Sequence, residues 1–446
     1  MRVRYRVMQC RWPGEEWQTW GFFYELQEDP RRSMSVVCHH NMNEFEWMVH
    51  DIKQCVADRC LSLERIHEAV AQYGDTCRVL PEIRTYEVDG GSVSAAVDAI
   101  EALVLGLEYI APHDASEESI RIFSGTANRP LAQSVAHLLG FPLSAISITS
   151  LPDSEIHVQI EEVVRNKEVF VIQPCSAPVN DHLVELLLMI DAFRRASARS
   201  ITAIVPYFPY ARQERMAKGR EAISARAVAS MLETMGVNRV IYIDIHAEAI
   251  QGFFTVPVDR LQAFPILSYY FRNNSFLEDA VVVSPDVGRA RLAGKYAQAL
   301  GVPLVLMHKR RDGFTRAKAT HVVGDIEDKI PILIDDICAS GSVIDQVPVL
   351  LEQGARPEVH LAVTHGVLLP PALKYLDRDW LNELVVTDTV LVPPQKRHPK
   401  LKIVSVAPML AYAIRGIYHG DSISPLWDYD APRKLGFYDP PSLEDS

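Results

Sequence analysis

The chain has no uncharged apolar run of the roughly twenty residues that a bilayer-spanning helix needs, and its opening, MRVRYRVMQCRW, holds no apolar core of signal-peptide length. Neither a membrane partner nor a secretory route is therefore expected, and the cytoplasm is the expected location. An excess of positive charge is also lacking: 45 Lys and Arg stand against 57 Asp and Glu, a formal net charge of −12. General attraction to nucleic acid or to an anionic membrane is excluded on that ground, so an anionic ligand must be met by locally placed cations. Cysteines are few and odd in number, seven in 446 residues, which favours reduced thiols over a disulfide framework. Cys38, His39, His40, Cys55 and Cys60 fall near one another, but their spacing matches no compact zinc pattern. Low-complexity tracts and short repeats are absent as well.

What is present is a globular composition, 48% hydrophobic, in a chain long enough for two or three cores. Residues 1–115 have the texture of a small α+β domain, with an aromatic strand region at 17–26 and helices at 45–73 and 93–110. The second of these helices carries Asp98, Glu101 and Glu108, so amphipathic packing explains it better than a membrane span does. From Arg121 onward, short apolar strands alternate with loops and amphipathic helices, the pattern of parallel α/β sheets. Strands are expected at 168–173, 200–205, 239–244, 280–284, 304–307, 330–334, 359–364 and 384–387. The fold class expected is α/β: two doubly wound parallel-sheet domains, residues 118–265 and 266–427, preceded by the α+β domain. Residues 428–446, rich in Pro and Asp, read as a loose tail.

The segment IPILIDDICASGSVI reads as a buried strand, a tight acidic loop and the start of a helix. Loops beyond the carboxyl ends of parallel strands face the crevice where open α/β sheets bind ligands. Asp335 and Asp336 can accept hydrogen bonds from sugar hydroxyls there, and Ala339, Ser340, Gly341 and Ser342 are small enough for backbone N–H groups to close on a phosphate. A plain strand-to-helix turn capped by Asp and Ser fits the same letters. Two basic islands stand in the acidic chain: Arg212, Arg215, Lys218, Arg220 and Arg226, against Glu214 and Glu221, and the run Lys309, Arg310, Arg311. They suit phosphates, and they also suit solvated surface. Asp244, His246 and Asp286 end two further strands and could converge on a metal at a sheet edge, although His is an unusual ligand for a hard cation.

The stretch NDHLVELLLMIDAFRRASARSITAIVPYFPYARQER from Asn180 closely resembles ribose-phosphate diphosphokinase, the synthetase of phosphoribosyl diphosphate. In the same order follow REAISARAVA from Arg220, DIHAEAIQGFF from Asp244, VVSPDVG from Val282, HKRR from His308, the acidic segment at Asp335 and THGVLLPPA from Thr364. The likeness runs from about residue 120 to 427 and leaves the first domain uncovered. It implies transfer of the diphosphate of ATP to the anomeric hydroxyl of ribose 5-phosphate with release of AMP, magnesium as cofactor, and a homo-oligomer, dimer-based and up to a hexamer. Residue by residue it implies Lys309 and Arg311 as the catalytic cations of a mobile loop, which is the kind of fixed charge phosphoryl transfer needs. It implies ATP contacts from Leu151, Asp153, Glu155, Arg212, Gln213 and His246. His246 and Asp286 would hold magnesium, Asp286, Val287 and Gly288 the diphosphate, Asp335 and Asp336 the ribose, and Ala339, Ser340, Gly341 and Ser342 its 5-phosphate.

Three departures accompany the likeness. The acidic segment is one residue short before the small-residue cradle, a displacement of up to about 3.5 Å of chain, and Cys338 stands roughly where the family has an acid. Leu151 replaces an aromatic ring that would stack on adenine from a neighbouring subunit, and so loses the stacking contribution. After HKRR, Thr315 and Arg316 stand where polar and acidic residues are usual. Two functional classes stay open: an active diphosphokinase, and a non-catalytic relative that binds nucleotide or assembles with an active enzyme. A phosphoribosyltransferase is a third, opposed by ARQER and HKRR, which suit ATP handling.

Overall fold

In the computed structural model, residues 119–272, 274–310 and 318–437 are described, and before residue 119 the backbone of five strands. Those strands, β1 (Arg2–Cys10), β2 (Gln18–Leu26), β3 (Ser35–Cys38), β4 (Cys77–Val79) and β5 (Arg84–Glu87), form an antiparallel sheet of order β3-β2-β1-β4, with β5 also paired to β1. The aromatic strand expected at 17–26 is β2. The helices expected at 45–73 and 93–110, and His39, His40, Cys55 and Cys60, lie outside the described residues.

The chain divides into two compact units, and the one holding residues 143–446 with 114–135 contains two parallel sheets. The first begins with β6 (Ile120–Ser124). A separate antiparallel hairpin follows, β7 (Ile146–Ser150) and β8 (Ile156–Ile160), and then β9 (Glu168–Ile172), β10 (Ser200–Val205), β11 (Arg239–Ile243) and β12 (Val258–Leu261) complete the sheet in the order β12-β11-β10-β9-β6. The second comprises β13 (Ala280–Ser284), β14 (Leu304–Arg310), β15 (Lys318–Val323), β16 (Ile330–Cys338), β17 (Val359–Gly366), β18 (Leu381–Thr387) and β19 (Leu401–Val404). Its order is β15-β14-β13-β16-β17-β18-β19, parallel except for the antiparallel edge strand β15. Both halves are parallel α/β, as the strand-and-helix alternation predicts. The order reverses in the second, between β13 and β16, whereas in the first it follows the sequence in one sense.

The near-continuous apolar letters of the strands have a physical cause: a parallel sheet is covered on both faces, so both alternate sets of side chains must be apolar. All eight residues of β17 and all five of β13 are buried. The covering helices show the other period. In helix Val179–Arg195, Leu183, Leu186, Met189, Ile190 and Phe193 recur three to four apart and are buried, one apolar stripe facing the sheet. Each such side chain contributes about 1.5–3 kcal/mol by leaving water. Arg194 and Arg195 in the last turn complement the helix dipole. Replacing Leu186, which is fully buried, by Ala is the single change most apt to loosen this layer, at about 2–5 kcal/mol.

Two local expectations need correction. The acidic pair does not lie in a loop: β16 continues through Asp335 and Asp336 to Cys338, because β17 is long enough to pair with it throughout, Asp335 opposite Val363 and Cys338 opposite Gly366. Nor is the stretch directly after Trp427 loose. Ala431 and Pro432 are buried in helix Ala431–Lys434, and Asp430 pairs with Arg272. Among the described residues, no helix is long and apolar enough to cross a membrane.

Candidate active site at the facing ends of two sheets

The carboxyl ends of the two sheets meet. Beyond β11, Asp244 takes a left-handed backbone (φ 38°) and its buried carboxylate accepts from Thr364 Oγ1 of β17 at 2.7 Å and from the Ala263 N–H at 2.9 Å. Burial pushes this carboxyl up, and the two donors pull it part of the way back. His365, next on β17, points its Nε2 at the carbonyl oxygens of Ile243, 3.1 Å, and Asp244, 3.3 Å, while Nδ1 lies 2.9 Å from Thr389 Oγ1. Two carbonyls can only accept, so the proton sits on Nε2 and Thr389 donates to Nδ1. Burial pushes this imidazole down to about 4, so it is neutral at physiological pH. Asp244 thus serves the junction between the sheets.

A cleft of about 370 Å³ opens on this junction, lined by Tyr207, Tyr210, Arg212 and Gln213 beyond β10, by His246 beyond β11, and by Ile337 and His365 of the second sheet. Arg212 and Gln213 are exposed, and Gln213 is held by a 2.7 Å hydrogen bond from the Ser224 hydroxyl. Arg212, Gln213 and His246, the residues expected to contact ATP, therefore share one wall, as their positions after neighbouring parallel strands require.

On the opposite side the charges are densest. Asp336 Oδ2 lies 2.8 Å from His246 Nδ1 and also takes a hydrogen bond from the Arg289 guanidinium. Arg289 reaches Asp335 as well, Nε to Oδ1 3.5 Å, and its NH2 group is 2.9 Å from His246 Nδ1. The Asp336 N–H donates to Asp335 Oδ1 at 2.9 Å. Burial works against ionising Asp336, but the hydrogen bond from His246 and the Arg289 charge outweigh it and hold the carboxyl well below the usual range. Asp335 is pushed up instead, by its partial burial and by the charge of Asp336 beside it. The two acids are thus unequal: one anchored anion and one carboxyl that keeps its proton more readily.

Asp286, two residues beyond β13, caps a 3-10 turn, Val287–Arg289, with its Oδ1 accepting the Arg289 N–H at 3.1 Å. The sequence alone singled out Asp286, Val287 and Gly288 and missed Arg289, the next residue. A cation directly after a turn at the end of β13 was the available signal, since β16, which carries the two acids, is the strand beside it.

The small-residue cradle differs from expectation. Residues 339–343 form bends and a turn, followed by a 3-10 turn, Ile344–Gln346, and only then by the six-residue helix Val347–Glu352. The first helical bonds run from the Ile344 and Asp345 N–H groups to the Gly341 carbonyl, so Ser340 and Ser342, both exposed, flank the start of a 3-10 turn and not of a regular α-helix. Gly341 has φ +90°, open to glycine at little cost. Cys338, at the position of the missing acid, is fully buried, and burial followed by the Asp335 charge pushes its thiol up to about 12. It offers ribose no anionic acceptor.

Leu151, Asp153 and Glu155 stand apart from the cleft. They form the exposed tip of the β7–β8 hairpin, closed by Leu151 N–H to the Glu155 carbonyl at 2.7 Å and Glu155 N–H to Asp153 Oδ1 at 3.2 Å. Lys309 lies on β14, its backbone opposite Ala319 of β15. Arg311, Thr315 and Arg316 lie outside the described residues. Among the described residues, no three His, Cys, Asp or Glu side chains gather as a metal cage. That sparse set still suits magnesium, which keeps several waters and is usually held by one or two protein groups together with substrate phosphates. A His that binds a cation through Nε2 commonly spends Nδ1 on a carboxylate, as His246 does on Asp336.

Residues 120–236 match the family model described as the N-terminal domain of ribose phosphate pyrophosphokinase, and residues 313–428 the phosphoribosyl synthetase-associated domain. The ribose-phosphate pyrophosphokinase of Clostridium tetani is 44% identical over 314 residues, covering 70% of this chain and 98% of the relative. That of Bacillus subtilis is 42% identical over 312 residues, with the same two coverages. Among solved structures, phosphoribosylpyrophosphate synthetase from Mycobacterium smegmatis superimposes with a TM-score of 0.64 at 43% identity, over 68% of this chain and 99% of that one.

Proposed function

Because the chain belongs to the ribose-phosphate pyrophosphokinase family, we infer that it transfers the diphosphate of ATP to the anomeric hydroxyl of ribose 5-phosphate, giving phosphoribosyl diphosphate, AMP and one proton. The product places the reaction in nucleotide biosynthesis, which goes with a cytoplasmic site of action. The observation that carries the assignment to this cleft is the meeting of His246 and Asp336 at 2.8 Å: it brings the nucleotide wall of the first sheet against the sugar acids of the second.

In this reading Arg212 grips phosphate through its planar fork and Gln213 reads the adenine edge. Leu151, Asp153 and Glu155, on an exposed hairpin tip that does not line the cleft, contact the adenine of a neighbouring subunit in a dimer-based homo-oligomer. Asp335 and Asp336 take the ribose hydroxyls, while the loop of Ala339, Ser340, Gly341 and Ser342 takes the 5-phosphate, so that the anomeric oxygen is aimed at the β-phosphorus. Asp286, Val287 and Gly288 receive the diphosphate. As the oxygen–β-phosphorus bond forms and the bridge to the α-phosphorus breaks, charge builds on phosphoryl oxygens, and Lys309 and Arg311 answer it. His246 and Asp286 would hold magnesium, which would draw charge from those oxygens. Donation of the Nδ1 proton of His246 to Asp336 is the arrangement that leaves Nε2 a lone pair for the ion.

The non-catalytic alternative has the weaker case, since the identity extends over 98% of the Clostridium tetani enzyme and Arg212, Gln213, His246, Asp286 and Lys309 are all present. Residues 118–265 and 266–427 are read as the nucleotide-side and sugar-side domains, with residues 1–115 added to the family pattern. The test is to incubate the purified chain with ATP, magnesium and ribose 5-phosphate and to follow AMP by chromatography. AMP formed only with the sugar supports the reading; a folded, ATP-binding protein that forms none is the non-catalytic relative.

A further inference from the structure

The sugar acids already have a cation of the chain's own. Arg289 is fixed at its backbone by the Asp286 cap and spends its guanidinium on both acids, Asp336 Oδ2 and Asp335 Oδ1 at 3.5 Å, beside His246. The side chains of Arg289 and Asp335 are each 20% exposed and that of Asp336 only 7%, so water is a poor substitute partner on either side. Oδ2 of Asp336 serves both His246 and Arg289, and Oδ1 of Asp335 serves both Arg289 and the Asp336 N–H. A ribose hydroxyl has to win these oxygens from a charge-assisted fork, and a neutral donor does not outcompete one. Arg289 also follows directly on Asp286, Val287 and Gly288, the turn proposed above for the diphosphate. A phosphate seated on that turn offers the guanidinium a second anionic partner within reach of the same backbone position.

We propose that Arg289 is an internal gate on the ribose site: in the sugar-free enzyme it occupies Asp335 and Asp336, and polyphosphate bound at Asp286–Gly288 draws it away and frees both acids for ribose 5-phosphate. The proposal rests on the reading of these two acids as the ribose site. It makes the two substrates help each other through one side chain, and such coupling is reciprocal. Arg289 exchanges one anionic partner, the two acids, for another, the bound polyphosphate.

The test is calorimetric titration of ribose 5-phosphate into the full chain in constant magnesium, with and without α,β-methylene-ATP, whose bridging carbon prevents transfer. For the parent protein the analogue tightens ribose 5-phosphate at least fivefold. In Arg289→Gln the sugar phosphate binds severalfold tighter than in the parent when the analogue is absent, and the analogue changes that affinity less than twofold. Arg289→Lys, whose single point charge cannot span both acids, behaves in the same sense and replaces Arg289→Gln if the latter melts early. Weaker binding in both variants, or coupling unchanged by them, overturns the gate and makes Arg289 a plain support of the acids. Binding of ribose 5-phosphate to none of the proteins, with or without the analogue, overturns the ribose reading and the gate with it, whereas equal binding by all overturns the gate alone.

Discussion

His246 and Asp336, ninety positions apart in the chain, meet with Nδ1 and Oδ2 2.8 Å from each other. One follows β11 of the first sheet and the other sits near the end of β16 of the second, so this contact ties the two sheet ends together, and in the proposed function the nucleotide wall to the ribose acids. Asp336→Asn keeps the shape of the side chain and removes its charge. A hydrogen bond to a charged group contributes about 1.5–3 kcal/mol, so kcat/KM for ribose 5-phosphate falls roughly 10- to 150-fold. Steady-state kinetics with the sugar varied at saturating ATP checks this; an unchanged value places ribose elsewhere.

In the proposed function Lys309 answers charge that exists fully only in the transition state. Lys309→Ala therefore lowers kcat by about 100- to 1000-fold, the range for removing one such group, with far less change in ATP affinity. Stopped turnover alongside equilibrium binding of ATP separates the two quantities. Equal loss of both would make Lys309 a binding residue only.

His365 and Asp388 give stability a concealed dependence on pH. Burial pushes His365 down from 6.5 to about 4, so its contribution is whole above pH 6.5 and is lost as pH falls towards 4. Burial pushes Asp388 up from 3.8 to about 6, despite donors from Ser405 and the Val406 N–H, so its cost is whole above pH 6 and disappears as pH falls towards 3.8. Each effect amounts to roughly 3 kcal/mol, and in the shared window they oppose each other. Measured against the parent by urea denaturation from pH 7 to pH 4, His365→Gln gains stability on acidification and Asp388→Asn loses it. Parallel curves for all three proteins would contradict the assignment.

Gly341 is held at φ +90°, where a side chain would meet Tyr375 Cε2 at 2.7 Å and Ala372 Cα at 3.3 Å. Gly341→Ala costs about 1–2 kcal/mol for the backbone alone and displaces the cradle from Tyr375. The expected result is a melting point a few degrees lower and weaker binding of ribose 5-phosphate, with ATP binding kept. Loss of ATP binding instead would show that the change spreads beyond the cradle.

The strands were legible because burial on both faces writes itself as apolar letters: β10 and β13 span residues 200–205 and 280–284 as expected. The acidic pair was visible as two adjacent carboxylates and misplaced as structure. Asp335 and Asp336 interrupt an apolar run and so read as a loop, but the backbone partner that keeps them in β16 is β17, whose reach to Gly366 no local pattern announces. The contacts that close the site are of the same kind. Thr364 to Asp244, His365 to the carbonyls of Ile243 and Asp244, and Arg289 to Asp336 join segments 120, 122, 121 and 47 positions apart, and only the folded chain brings them together. Cys338 shows the limit from the other side, since its place in the motif marked it for the ribose site and its burial removes it from sugar chemistry.

The account stands on transfer of an intact diphosphate between two facing sheet ends. Phosphorus NMR of a reaction containing the chain, magnesium, ATP and ribose 5-phosphate follows every phosphorus atom at once. The predicted spectrum loses the three ATP resonances and gains AMP and a sugar-linked diphosphate in equal amounts, only when the sugar is present. ADP with orthophosphate, or ATP left unchanged beside ribose 5-phosphate, would contradict it.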